Sequence, residues 1–152
     1  MLYRARISVL SGREVSRENY GKVCSLGKLL NENEYLFYRK EGEQIMEAVA
    51  KGVKEGVGKC FGILKGISTD KINSYIDFSI ATNMGITRNA LLAHSCDAAV
   101  TTSGKYGILS EIAYSLQLDK TVIGIERREL DGLINASNEK EIIKKFNGVF
   151  LR

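Results

Sequence analysis

Two kinds of apolar pattern alternate along this chain. Short runs at residues 7–10, 35–38, 60–64, 76–81, 97–102 and 121–125 have the length and composition of strands. Between them, apolar positions return every three or four residues, as in Tyr20, Val23, Cys24 and Leu30, and again in Ile45, Ala48, Val49, Gly52 and Val53. Helices are therefore expected after residue 16, from residue 43, over 88–93 and from 107 through Leu116. Ser16 is placed to cap the first helix, and the segment 31–33 to stop it. Gly56 and Gly58 are expected to supply left-handed backbone at the exit of the second. Asn138, with Glu141 in the reciprocal position, predicts a last helix that Asn147-Gly148 breaks before residues 149–151.

Strands alternating with helices imply a parallel sheet covered on both faces, because a parallel connection needs a crossover long enough to hold a helix. The expected architecture is α/β: a Rossmann-like, doubly wound three-layer sandwich with a mostly parallel sheet of six or seven strands. At 152 residues the chain, 1–152, reads as one domain. In such folds a ligand sits beyond the carboxyl ends of the strands, where the strand order reverses. Three strand-to-helix turns fall at that end: Ser11-Gly12, residues 39–42 and residues 103–107, with the helix start near Arg88 close by. Helix starts carry unpaired N–H groups and a partial positive charge, so phosphate is their natural guest.

Composition narrows the chemistry. The 22 basic and 18 acidic residues give a net charge of +4, but they are interleaved, as in Glu126-Arg127-Arg128-Glu129, which reads as solvated helix faces and not as a nucleic-acid surface. No run approaches the ~20 apolar residues of a membrane span, and residues 1–10 lack the apolar core of a signal peptide. A cytoplasmic location without membrane or nucleic-acid partners is the expectation. Cys24, Cys60 and Cys96 stand apart without a CxxC pair and read as buried apolar residues in a reducing compartment. The one histidine, His94, is expected to pack at a helix end; neither a zinc set nor a Ser-His-Asp triad can be assembled around it, and no metal or cofactor is expected. Gly104 and Gly107, flanking Lys105, would let backbone approach a phosphate, although the glycine spacing of a P-loop is absent.

The ordered succession Met46-Glu47-Ala48, residues 73–77, Thr82-Asn83-Met84-Gly85-Ile86-Thr87-Arg88-Asn89 and Tyr106-Gly107-Ile108-Leu109-Ser110-Glu111 resembles the "Lonely guy" family of phosphoribohydrolases. That family was once described as lysine decarboxylase-like and is related to the molybdenum cofactor carrier protein. The resemblance covers nearly the whole chain. It implies that Arg88 and Glu111 are the catalytic pair for hydrolysing the N-glycosidic bond of a nucleoside 5'-monophosphate. A carboxylate can stabilise oxocarbenium character on the ribose, and a guanidinium can fix the substrate through forked hydrogen bonds. Together with the strand-to-helix turns, the expected ligand contacts are Ser11, Gly12, Lys40, Gly42, Asn89, Ser103, Gly104, Lys105, Tyr106, Gly107 and Ile108, and the resemblance implies a homodimer or higher homo-oligomer.

The glycine motifs are degenerate. Only Gly42 remains in the first phosphate turn, 38–44, and in the second Lys105 replaces a glycine and Ile108 a threonine. Lys40 and Lys105 are then candidates to hold phosphate as point charges. The leading expectation is a protein that binds a nucleotide or another phosphorylated small molecule with catalysis lost or weak. A phosphoribohydrolase is the alternative, and a carrier of the molybdenum cofactor, a pterin, is the second alternative.

Overall fold

A computed structural model describes residues 3–12, 16–40, 44–70, 72, 74–102, 105–125 and 129–150, with Lys40 as backbone only. Seven strands form one sheet: β1 (Ala5–Leu10), β2 (Tyr35–Lys40), β3 (Cys60–Leu64), β4 (Phe78–Ala81), β5 (Ala98–Thr101), β6 (Thr121–Gly124) and β7 (Ile134–Asn135). Their order is β4-β3-β2-β1-β5-β6-β7 and every pairing is parallel. The winding runs outward from β1 to β4, then returns to the middle and runs the other way from β5, so the order reverses between β1 and β5. The expected doubly wound α/β architecture is what forms, with β7 added by a two-residue strand too short for a periodicity to reveal.

Side chains alternate along the strands and build two cores. Ile7, Val9, Phe37, Cys60, Val100 and Ile123 face α1 (Arg17–Glu32), α2 (Gln44–Glu55) and α5 (Glu139–Val149). Leu10, Ile63, Ala99 and Val122 face α3 (Arg88–Ser95) and α4 (Tyr106–Gln117), where Leu92, Ile108 and Ile112 complete the second core. No described helix is long and apolar enough to cross a membrane.

Local chemistry explains most element ends and corrects several expectations. Ser16 caps α1 by accepting from the amide of Asn19 at 3.2 Å. Asn138 accepts from the Glu141 amide at 2.9 Å, while the Glu141 carboxylate takes the Ser137 amide, one residue earlier than a strict reciprocal box would have it. The left-handed residue at the exit of α2 is neither Gly56 nor Gly58 but Val57, at φ 63°. Gly58 N–H bonds to Val53 C=O at 2.8 Å and Val57 N–H to Lys54 C=O at 2.9 Å, the Schellman pattern. The two glycines instead make room for Asn31, whose amide donates to the Gly56 carbonyl and whose side chain a Cβ at either glycine would meet.

Asn147-Gly148 does not break α5, which continues to Val149 because the Asn147 side chain is engaged. Its oxygen accepts from Tyr35 Oη at 2.8 Å and its nitrogen donates to Asn33 Oδ1 at 3.1 Å. His94 is exposed and does not pack. The helix end it occupies is closed by Lys120, whose ammonium donates to the carbonyls of Ala93, His94 and Cys96. Cys60 and Cys96 are buried as expected, and Cys24 is half-buried.

Candidate functional site

The carboxyl ends of the strands lie level: Lys40 opposite Ile63, Leu64 opposite Ala81, Leu10 opposite Thr101, and Thr101 opposite Gly124. Beyond β4 the chain turns sharply at Asn83 and Gly85, both in left-handed conformation, and the Gly85 amide bonds to the Lys65 carbonyl at 3.0 Å. A 3-10 turn over Gly85–Thr87 then delivers Arg88 as the first residue of α3, directly over the end of β3.

Arg88 is 4% exposed; its Nη1 donates to the Ile63 carbonyl at 2.7 Å and its Nε to Asn89 Oδ1 at 3.3 Å. Asn89 Nδ2 donates in turn to Ser110 Oγ at 3.2 Å, and Ser110 Oγ donates to the Gly107 carbonyl at 2.7 Å. This chain of bonds ties the start of α3 to the first turn of α4, beside Glu111, which is 1% exposed. Arg88, Asn89 and Glu111 are all buried, and the Asn89–Ser110 bond joins the helix that carries the first two to the helix that carries the third.

The remaining residues singled out from the sequence divide. Ser11 is buried, with its hydroxyl donating to the Gly12 carbonyl at 3.2 Å, and Gly12 is half-buried at the end of β1. Tyr106 and Gly107 belong to the first turn of α4 rather than to the preceding loop, and Tyr106 is exposed. Lys105 is exposed at the cap position of α4, and its side chain makes no capping bond. Ile108 is committed elsewhere: its side chain sits in the second core and its amide bonds to the Lys105 carbonyl. Gly42, Ser103, Gly104 and the side chain of Lys40 lie outside the described residues.

Buried polar residues beyond the candidates include Thr101, Thr102 and Arg39. Thr101 and Thr102, at the end of β5, read in the sequence only as the tail of a strand, yet their hydroxyls are buried without a hydrogen-bond partner among the described residues. The Thr102 amide bonds to the Leu10 carbonyl at 3.1 Å, so this end of β5 lies against Ser11 at the point of reversal. Charge at Arg39 ends the apolar run and points to a loop, but β2 extends through Lys40 and the Arg39 side chain is 1% exposed. It donates to the Met46 carbonyl at 3.1 Å, and burial lowers its pKa against the opposing pull of the Cys60 thiol and Glu47. Burial likewise pushes the Cys60 thiol up to about 12.

A cavity of about 310 Å³ opens at this same edge of the sheet, lined by Ile125, Asn135, Ala136 and Ser137. It lies beyond the ends of β6 and β7, and the Ile125 amide continues the β5–β6 pairing by bonding to the Thr101 carbonyl at 3.0 Å.

Residues 4–148 match the SLOG cluster4 family. The chain belongs to the SLOG cluster4 family. A relative within reach of this SLOG chain is an uncharacterized protein of Archaeoglobus fulgidus, 35% identical over 121 residues, which is 80% of each chain. Among solved structures, the molybdenum cofactor binding protein of Rippkaea orientalis superimposes with a TM-score of 0.88 at 23% identity, covering 95% of this chain and 96% of that one. The molybdenum cofactor carrier protein of Chlamydomonas reinhardtii gives 0.85 at 19% identity, covering 97% and 98%. At these identities the superpositions establish a shared fold.

Proposed function

We propose that this SLOG protein binds a phosphorylated small molecule, a nucleotide or a pterin, across the carboxyl ends of β1 and β5, and holds it without efficient turnover. The observation that carries the reading is the set of buried polar groups on this side of the molecule: Ser11, Thr101 and Thr102 at the ends of β1 and β5, Arg88 over the end of β3, and Asn89 and Glu111 on α3 and α4. Burying so many polar groups at one edge is costly to stability, and ligand sites of open α/β sheets lie at this crevice. A pterin is favoured by two structural neighbours named for binding or carrying the molybdenum cofactor.

Holding is favoured over hydrolysis by the altered second glycine motif, where Lys105 stands for a glycine and Ile108, in place of a threonine, packs its side chain into the second core. Phosphoribohydrolysis through Arg88 and Glu111 remains the second reading, favoured by the Asn89–Ser110 bond that joins their two helices.

Native mass spectrometry and fluorescence of the purified protein test the proposal. A pterin or nucleotide released on denaturation is the expected result, and added ligand at 100 times its Kd should stabilise the fold by about 2.7 kcal/mol. Incubation with AMP should release no free adenine. Release of adenine that Glu111→Gln abolishes would replace the holding reading with the hydrolytic one, and neither bound ligand nor stabilisation by AMP or a pterin phosphate would end both.

A further inference from the structure

Ser110 has no assigned role, yet its hydroxyl stands in the middle of a chain of hydrogen bonds that begins on Arg88. Ser110 Oγ donates its one proton to the Gly107 carbonyl at 2.7 Å. With that proton spent, the oxygen can only accept, and what it accepts is Asn89 Nδ2–H at 3.2 Å. A carboxamide bonded through its nitrogen on one side has its oxygen left for the other, and Asn89 Oδ1 accepts from Arg88 Nε at 3.3 Å. The donors therefore run one way, from Arg88 through Asn89 and Ser110 to the backbone of α4. A serine serving only its own helix would bond back to that helix and stop there; Ser110 also takes a donor from α3.

Burial makes this arrangement decisive. Arg88 is 4% exposed and Asn89 8%, so water competes poorly for their polar groups. If the Asn89 amide turned over, its nitrogen would face the guanidinium, donor against donor, and unmet donors are most costly inside the protein. The Ser110 hydroxyl prevents this by accepting from the nitrogen. Arg88 is also held at Nη1 by the Ile63 carbonyl at 2.7 Å. A planar guanidinium bonded at two of its nitrogens is fixed in orientation as well as in place. The two bonds through Asn89 are longer than the one to β3, which makes this the side on which the restraint is more easily lost.

We infer that Asn89 and Ser110 are positioning residues that fix the orientation in which the Arg88 guanidinium meets the ligand, so that the first turn of α4 sets the aim of the first residue of α3. This rests on the proposed function in taking Arg88 as a ligand contact.

The test follows the Arg88 Nε–H resonance of the isotope-labelled full chain, with AMP as the ligand probe. Ser110→Ala should speed exchange of the Arg88 Nε proton with water about tenfold or more, while the Leu92 and Ile112 amides keep their protection. Ser110→Thr, which retains the hydroxyl, should restore the slow exchange. Ser110→Ala should also weaken AMP binding about tenfold in the wild type but by less than about twofold in an Arg88→Lys background, because a residue acting through another is not additive with it. Unchanged exchange at Arg88 in Ser110→Ala, an acceleration shared equally by Leu92 and Ile112, or the same loss of AMP affinity in both backgrounds would overturn the inference. A wild type that does not bind AMP would count against the nucleotide reading, and the Arg88 resonance would still decide whether Ser110 orients the guanidinium, so the two can fail separately.

Discussion

A single side chain shows how a residue can be wrong for its backbone and still be kept. Val57 holds φ 63° at the Schellman position after α2, where glycine is the usual occupant, and its side chain is 89% exposed. A β-branched residue in that region is strained, by roughly 1–2 kcal/mol, and its exposure means that almost no packing compensates. Val57→Gly should therefore raise stability by about 1 kcal/mol, read as a higher urea midpoint with unchanged slope. A lower midpoint would mean that the valine makes a contribution its exposure hides. Glu34 and Asp119, at the exits of α1 and α4, carry the same left-handed geometry, so this chain closes three helices without glycine at the turning residue. That habit is why the exit of α2 was misread from sequence: glycines near a helix end invite a conformational explanation, while here their smallness admits Asn31.

Between elements, smallness decides how closely helices approach. Gly27 of α1 lies against the backbone of Val49 and Val53, and Gly52 of α2 against that of Cys24 and Lys28, so the two helices cross glycine to backbone. A Cβ on Gly52 would collide with the Cys24 carbonyl oxygen, and no rotamer change relieves a clash with main chain. Gly52→Ala should lower stability by about 1–3 kcal/mol despite alanine's better helix propensity. Gly21→Ala, in the same pair of helices but with nothing within 4 Å of the added atom, should raise it by up to ~1 kcal/mol. Opposite signs in denaturant unfolding would separate close approach from propensity, and equal signs would refute the crossing as the cause.

This scale also marks what the sequence could tell. Strand runs and helical periods come from side chains that alternate between water and core, so six of the seven strands and all five helices were legible. Arg39 and Asn147 were not, because a buried guanidinium and a helix-borne amide that serve tertiary bonds look locally like a loop and a breaker. The buried hydroxyls of Thr101 and Thr102 are not legible either, because a threonine at the end of an apolar run looks like the tail of a strand.

Across the whole molecule the two edges of the sheet do different work. The amino edge is laced by ion pairs. Asp97, just before β5, accepts from Arg6 Nη2 at 2.8 Å, from its Nε at 3.1 Å and from its backbone amide at 2.7 Å. Asp77, just before β4, accepts from Lys54 at 2.5 Å and from the Cys60 amide at 2.8 Å. The hydrogen bond from the Arg6 side chain holds Asp97 below the ordinary carboxylate value. Burial alone would raise Asp77, but the Lys54 and Cys60 bonds outweigh it and the net shift is downward. A carboxylate lowered in the folded state contributes stability that is fully present above its unfolded pKa, about 3.9, and is lost as pH falls through the folded value. Stability from these groups should therefore hold from pH 7 to about 5 and decline below about 4. Asp77→Asn should unfold more easily than wild type at pH 7, and the gap should narrow as pH falls through the lowered folded value and the wild-type carboxyl takes up its proton. Urea unfolding across that range measures it. A gap that stays constant would assign the loss to the neutral hydrogen bond at the Cys60 amide and not to charge. Ligand binding at neutral pH should be unmoved by the substitution, because Asp77 stands at the edge opposite the one where the polar groups are gathered.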